Sequence, residues 1–287
     1  MAHPAFSQQL SDMIEPGSIL VSSARHFAVV FFDTVFRRGE ILAPILRMSQ
    51  IRSEAFAKFW IEFSGARSPE AATEAEPVGS NALLPPLLAT AKGVILDIGP
   101  GTGTQTPLFT NPGIKVIYGA EPTQDLHADL QAKAERCGKS STYKILHCGA
   151  QPQSLVPALD KAGFEDLASG VFDTIVCVRV LCSVPNPDDT IRGLYQLLKP
   201  GGKMLVAEHV ANPWYAKNGS VLGRLAQIFY TLLGWPFFVG DCQLGRNTRK
   251  SLVMAAAKDG GWETDTLELS FGWSAIPYIS GTLVKRG

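Results

Sequence analysis

The chain has 287 residues, 46% hydrophobic and 18% charged, and its 26 basic residues balance its 26 acidic ones. That length permits one large domain, or a domain with an appendage, in an ordinary soluble composition. A polyanion-binding surface carries a basic excess, so nucleic acid is not expected as a partner.

Residues 1–63 have helical periodicity throughout, with Ile41, Leu42, Ile45 and Leu46 followed by Ala55, Phe56, Phe59, Trp60 and Phe63. Residues 18–36 are apolar, but Arg25, His26 and Asp33 interrupt the run of about 20 apolar residues that a spanning helix needs. Phe27, Phe31 and Val35 form one helical row, and Phe32 and Phe36 the next. The stretch therefore reads as an amphipathic helix, packed on its own domain or lying peripherally on a membrane. Residues 1–10 lack the apolar core of a signal peptide. The five cysteines are odd in number and have no Cys-x-x-Cys spacing. Reduced thiols, a cytoplasmic setting and no metal site follow as expectations. Residues 64–81, rich in Gly, Ser, Pro and Glu, read as a flexible connection.

The chain then alternates between strand and helix patterns, which predicts an α/β, doubly wound, mostly parallel sheet of seven strands. Gly93–Ile98 reads as a buried strand in which Asp97 is the lone charge. It opens into Gly99, Gly101 and Gly103, a turn tight enough to need positive φ or backbone against a ligand. Thr104 stands where the nicotinamide fingerprint wants a small residue, so a dinucleotide is disfavoured. A helix is expected to follow, its amino terminus facing an anionic group. The second apolar run ends at Glu121, where a carboxylate can accept from two ribose hydroxyls. Strand, glycine turn and acidic strand-end together predict an adenosine-type ligand.

Thr123 is expected to cap a helix running to Cys137. Strands follow over residues 142–147 and 172–178, the second ending at Arg179. Asn186 and Pro187 suit N-cap and N1 of a helix that Lys199, Pro200, Gly201 and Gly202 end, before a strand over 204–210. Two late strands, near 264–270 and 281–285, close the sheet. Residues 211–247 break the rhythm on the ligand face and are rich in aromatic residues, which predicts a helical lid over an apolar pocket. The predicted organisation is a helical cap and linker over 1–81 and a Rossmann-like domain over 82–287, with the lid at 211–247.

The motif at 94–103, Glu121, Phe-Asp-Thr-Ile-Val at 172–176 and Leu-Lys-Pro-Gly-Gly at 198–202 resemble the class I S-adenosylmethionine-dependent methyltransferases. Val-Leu-Cys-Ser-Val at 180–184, Ala-Glu-His-Val at 207–210 and Cys-Gln-Leu-Gly-Arg at 242–246 are similar to the small microsomal, methyltransferase-like thiol methyltransferases. A weaker likeness covers 276–285. That family's Asp-Gly-Cys reads here as Gly240, Asp241 and Cys242.

The resemblance implies S-adenosylmethionine as cofactor and S-adenosylhomocysteine as product. Asp97 would bond the glycine-loop amides or the cofactor ammonium, and Gly99, Gly101 and Gly103 would press against its amino-acid portion. Glu121 would take the ribose, and Ala150 with Gln151 the adenine edge. Arg179 would lie under the methionine moiety, or else pair with Asp173 or Glu208. His209 and Asp241 are the catalytic candidates. His209 is the sole histidine at a strand's carboxyl end on the ligand face, and so the candidate base, or else a structural histidine whose ring nitrogens bond neighbouring backbone. Cys182 and Cys242 read as packing residues. The expected activity is methyl transfer to a small apolar acceptor, thiol ahead of hydroxyl or carboxyl. An O-methyltransferase of natural-product (secondary) metabolism and a catalytically silent cofactor-binding regulator are the alternatives.

Overall fold

The structure, a computed structural model, describes residues 6–66 and 77–287. The helices are α1 (Phe6–Phe32), α2 (Ala43–Leu46), α3 (Met48–Ala66), α4 (Leu84–Leu88), α5 (His127–Arg136), α6 (Pro152–Lys161), α7 (Pro187–Leu197), α8 (Val221–Leu232), α9 (Trp235–Phe238) and α10 (Thr248–Ala255). The strands are β1 (Gly93–Ile98), β2 (Ile114–Ala120), β3 (Tyr143–Leu146), β4 (Phe172–Val178), β5 (Leu198–His209), β6 (Thr264–Asp265), β7 (Glu268–Ser270) and β8 (Tyr278–Val284). Most of the expected connection at 64–81 lies outside the described residues.

The sheet order is β3-β2-β1-β4-β5-β8-β6, with β7 also on β8. β1 to β5 are parallel, and β8 runs antiparallel to β5. The reversal between β2 and β4 around β1 creates the crevice at the carboxyl ends where such sheets bind ligands. Along β1 the side chains alternate between two cores. Leu96 and Ile98 join Leu155, Ile191 and Leu252 on one face. Ile95 joins Leu88, Leu130 and Leu205 on the other. Helices α6, α7 and α10 thus cover one side, and α4 and α5 the second.

Four expectations change. The sheet has eight strands, because the late segment expected as one strand divides into β6 and β7. The divide falls opposite Gly281, where a Cβ would stand 2.4 Å from the Thr266 carbonyl oxygen. No α-helix follows the glycine turn: Pro107 and Pro112 leave room for one 3-10 turn, Thr106–Leu108, before β2. Thr123 caps nothing with its side chain, since a 3-10 turn, Gln124–Leu126, precedes α5. Lys199 to Gly202 lie within β5, across an irregular register that pairs Phe172 with Leu198 and Thr174 with Lys203. Asn186 and Pro187 do begin α7, although Asn186 is left-handed and makes no side-chain cap.

The amino-terminal helices and residues 211–247 meet over the carboxyl ends of the strands. Phe27 of α1 packs edge-on against Phe237 and Phe238 at 5.1 and 5.5 Å. Arg52 of α3 donates to the carbonyls of Phe237 and Pro236 at 2.9 and 3.0 Å.

Candidate functional site

A cavity of about 680 Å³ opens at the ends of β1, β2, β4 and β5. That volume falls within the range of small-molecule sites. Its floor contains Gly99, Gly101, Glu121, Arg179 and His209, and its walls come from α1, α3, the 235–242 segment and the turn before β8. The expected partnership of glycine turn and second strand-end is therefore present in space.

Gly99 and Gly101 have φ of 58° and 59°. A Cβ on Gly99 would stand 2.5 Å from Val180 Cγ2, and one on Gly101 2.5 Å from Trp60 Nε1. Backbone must lie flat there, and glycine alone permits it. Gly103 faces Leu130 and Thr106 instead, away from the cavity lining. Glu121 Oε2 accepts from the Gly101 amide and Oε1 from the Thr123 amide, both at 2.9 Å. Burial raises its pKa against the pull of those two amides. Each oxygen keeps a second lone pair.

Asp97 is fully buried beneath this floor and does not line the cavity. Its donors are Tyr143 Oη at 2.8 Å and Gln105 Nε2 at 3.3 Å, rather than the expected glycine-loop amides. Tyr143 reaches it across Gly119, where a Cβ would be 2.7 Å from the phenol oxygen. Burial pushes the Asp97 carboxyl up to about 7, against those two hydrogen bonds.

Arg179 lines the cavity in a left-handed conformation, φ 55°. It donates to Ser80 Oγ at 2.9 Å and Asn81 Oδ1 at 2.6 Å, with its guanidinium 5.8 Å from the Tyr278 ring. Asp173 is bonded elsewhere, to Lys199 and the Val94 amide. Glu208 accepts from the Val180 and Leu181 amides at 2.9 and 3.0 Å and fixes the loop after β4. Burial pushes its carboxyl up to about 7. Ala150 belongs to the core and Gln151 precedes α6; neither lines the cavity.

His209 faces the cavity from the end of β5, with Nε2 3.1 Å from Cys242 Sγ and Nδ1 buried without a hydrogen-bond partner. Among the described residues no carboxylate hydrogen-bonds the ring, so the arrangement lacks the support expected of a general base. Hydrogen bonding to Cys242 and burial hold the Cys182 thiol well above its usual range. Asp241 also lines the cavity, left-handed at φ 59°, its carboxylate largely exposed and 2.6 Å from Arg52 Nη2. Phe56, Phe271, Trp273 and Tyr278 complete the wall. No local pattern marks these four as cavity residues, because they come from opposite ends of the chain.

Residues 36–239 match a protein family described as "Methyltransferase domain". The human thiol S-methyltransferase TMT1B is 29% identical over 198 residues, covering 69% of this chain and 72% of that one. Human thiol S-methyltransferase TMT1A is 29% identical over 195 residues, covering 67% and 70%. Among solved structures, an O-methyltransferase family protein from Burkholderia thailandensis superposes with a TM-score of 0.53 at 14% identity, covering 93% of this chain and 72% of that one. That last likeness speaks for the fold alone. With the glycine turn, the acidic strand-end and the cavity between them, these matches make the chain a member of the methyltransferase-domain family, an enzyme whose cofactor is S-adenosylmethionine.

Proposed function

We propose that the enzyme methylates a small apolar thiol. The carrying observation is a single cavity joining the glycine turn and Glu121 to a wall of Phe56, Trp60, Trp235 and Phe271. The names of the two human relatives favour sulfur as the methylated atom.

The residues fit the cofactor. Gly99 and Gly101 form a cradle that a Cβ would fill, and Glu121 has lone pairs to spare for a ribose diol. When bound, S-adenosylmethionine supplies a methyl group on a sulfonium, open to in-line displacement by a lone pair. Glu121 and the Gly99–Gly101 backbone hold that ligand, and Arg179 closes one side under Tyr278. The aromatic wall and the 235–242 segment exclude water and orient the acceptor; such positioning contributes on the order of 7–11 kcal/mol. A thiol of pKa about 8.5 already has some thiolate at neutral pH, so a site without an oriented base serves sulfur better than a hydroxyl. Asp97, buried below the floor, supports the turn rather than the ligand.

Residues 211–247 act as a lid in this reading, and α1 and α3 as the opposing cap. Among the described residues one helix, Ser7–Arg37, is long and apolar enough to cross a membrane, and 22% of its most apolar window is buried. Val21, Val29, Phe32 and Phe36 are exposed on it, as are Leu222, Leu225 and Leu232 on the neighbouring α8. These two faces support peripheral membrane contact.

The test is turnover of labelled cofactor with matched panels of apolar thiols, phenols and carboxylic acids. The expected result is highest kcat/KM on thiols; faster turnover of phenols or acids would overturn the reading, and no turnover on any panel would favour a binding protein.

A further inference from the structure

Three side chains from separate elements converge at the cavity wall. Cys182 follows β4, His209 ends β5, and Cys242 lies beyond α9. Their ligand atoms all lie within 4.8 Å of one another. The residues are 3%, 6% and 7% exposed, yet each contributes to the cavity lining. Their backbones are tied together: Gln243 donates to the Cys182 carbonyl at 3.0 Å, and Arg246 to the Leu181 and Val184 carbonyls at 2.6 and 2.8 Å.

We infer that Cys182, His209 and Cys242 form a site for a zinc-type divalent cation, with a fourth coordination position open to the cavity. Two sulfurs and an imidazole are borderline-soft donors that suit zinc; no carboxylate joins the set to favour a hard cation. Three protein ligands beside a cavity are the arrangement of a reactive zinc rather than a closed structural one. A tetrahedral ion with bonds of about 2.3 Å to sulfur and 2.0 Å to nitrogen sets S···N near 3.5 Å and S···S near 3.8 Å. The 3.1 Å between His209 Nε2 and Cys242 Sγ, and the 4.8 Å limit for all three, lie on either side of those values. Side-chain rotations that shift the ligand atoms by about 1 Å would bring the set to the spacing that such bond lengths require.

On binding, each cysteine gives its proton to solvent and its sulfur lone pair to the metal. The open position then takes a fourth ligand from the cavity. Its use by the acceptor rests on the thiol reading above: the acceptor S–H proton leaves to solvent, and its sulfur stays on the metal as thiolate.

The full chain, reduced and treated with a chelator, would be titrated with zinc and, separately, with cobalt(II). The expected result is one tightly bound equivalent, with thiolate-to-cobalt charge-transfer bands and the visible bands of a tetrahedral site. Cys182→Ser and Cys242→Ser should each weaken binding by more than the roughly 10–100-fold typical of outer-shell changes. Cys137→Ser, remote from the cavity, should not. Retained S-adenosylhomocysteine binding by each variant establishes that it is folded. Absence of a stoichiometric metal, or equal uptake by the two serine variants, overturns the site. A small apolar thiol added to the cobalt form should shift its visible spectrum. Metal uptake without thiol turnover would leave the site standing and overturn the thiol reading instead.

Discussion

Tyr143 donates its phenol proton to Asp97 across β2, at 2.8 Å, with both groups closed off from solvent. A carboxyl with a folded-state pKa of about 7, far above its unfolded value, favours folding when protonated. Its contribution is complete below about pH 4 and is lost as pH rises through about 7. The shift from 3.8 to about 7 corresponds to a swing on the order of 4 kcal/mol. Urea unfolding of the parent and Asp97→Asn between pH 5 and 8.5 should show the parent's stability declining relative to the variant as pH rises. A constant difference would show that Asp97 stays ionised.

Removing Glu121 should act on the cofactor. Glu121→Ala frees the Gly101 and Thr123 amides and, on the proposed reading, leaves a ribose diol without its acceptor. The expected loss is about 1–3 kcal/mol, or some 5- to 150-fold in affinity for S-adenosylhomocysteine by calorimetry. Unchanged affinity would move the ribose elsewhere.

Arg52 and Asp241 should behave differently although they form one ion pair. Arg52 also holds the carbonyls of Pro236 and Phe237, so Arg52→Ala frees the 235–242 segment. KM for the acceptor should rise about tenfold, with little change in cofactor affinity. Asp241 is largely exposed, and Asp241→Asn should lower kcat less than about threefold, the scale of a surface pair. A loss of a hundredfold would instead place the Asp241 carboxylate in the chemistry.

The exposed apolar rows of α1 and α8 give a fourth expectation. A combined Val29→Glu, Phe32→Glu and Leu225→Glu variant should no longer co-sediment with phosphatidylcholine vesicles, while cofactor affinity stays at the parent value. Vesicle binding by the variant equal to the parent's would remove membrane contact through these faces.

The parallel strands and the pairing of the glycine turn with Glu121 were legible because each depends on local signals: apolar runs, a turn, a charge at a strand end. The helix after the turn was expected from the general pattern of such folds, and Pro107 and Pro112 were the local evidence against it. The partner of Asp97 was not legible, since Tyr143 lies 46 residues away and reaches it across a glycine of a third strand. The same holds for His209 and Cys242, 33 residues apart, which sequence spacing could not mark as neighbours. Ala150 and Gln151 were chosen by position at a strand end; the Ala150 side chain packs in the core and Gln151 precedes α6.

Helix α1 has two faces with separate obligations. Its inner side contributes Asp12, Glu15 and Ile19 to the cavity, and Asp12 receives the Trp273 indole proton at 2.7 Å. Its outer side carries Val21, Val29 and Phe32. Because one helix serves both, cavity occupancy is thermodynamically linked to any surface whose attachment depends on the helix being seated. A surface that favours the seated helix must tighten ligand binding by the same factor as the ligand tightens attachment to the surface. Attachment at the outer face and ligand hold in the cavity would then be two readings of one equilibrium.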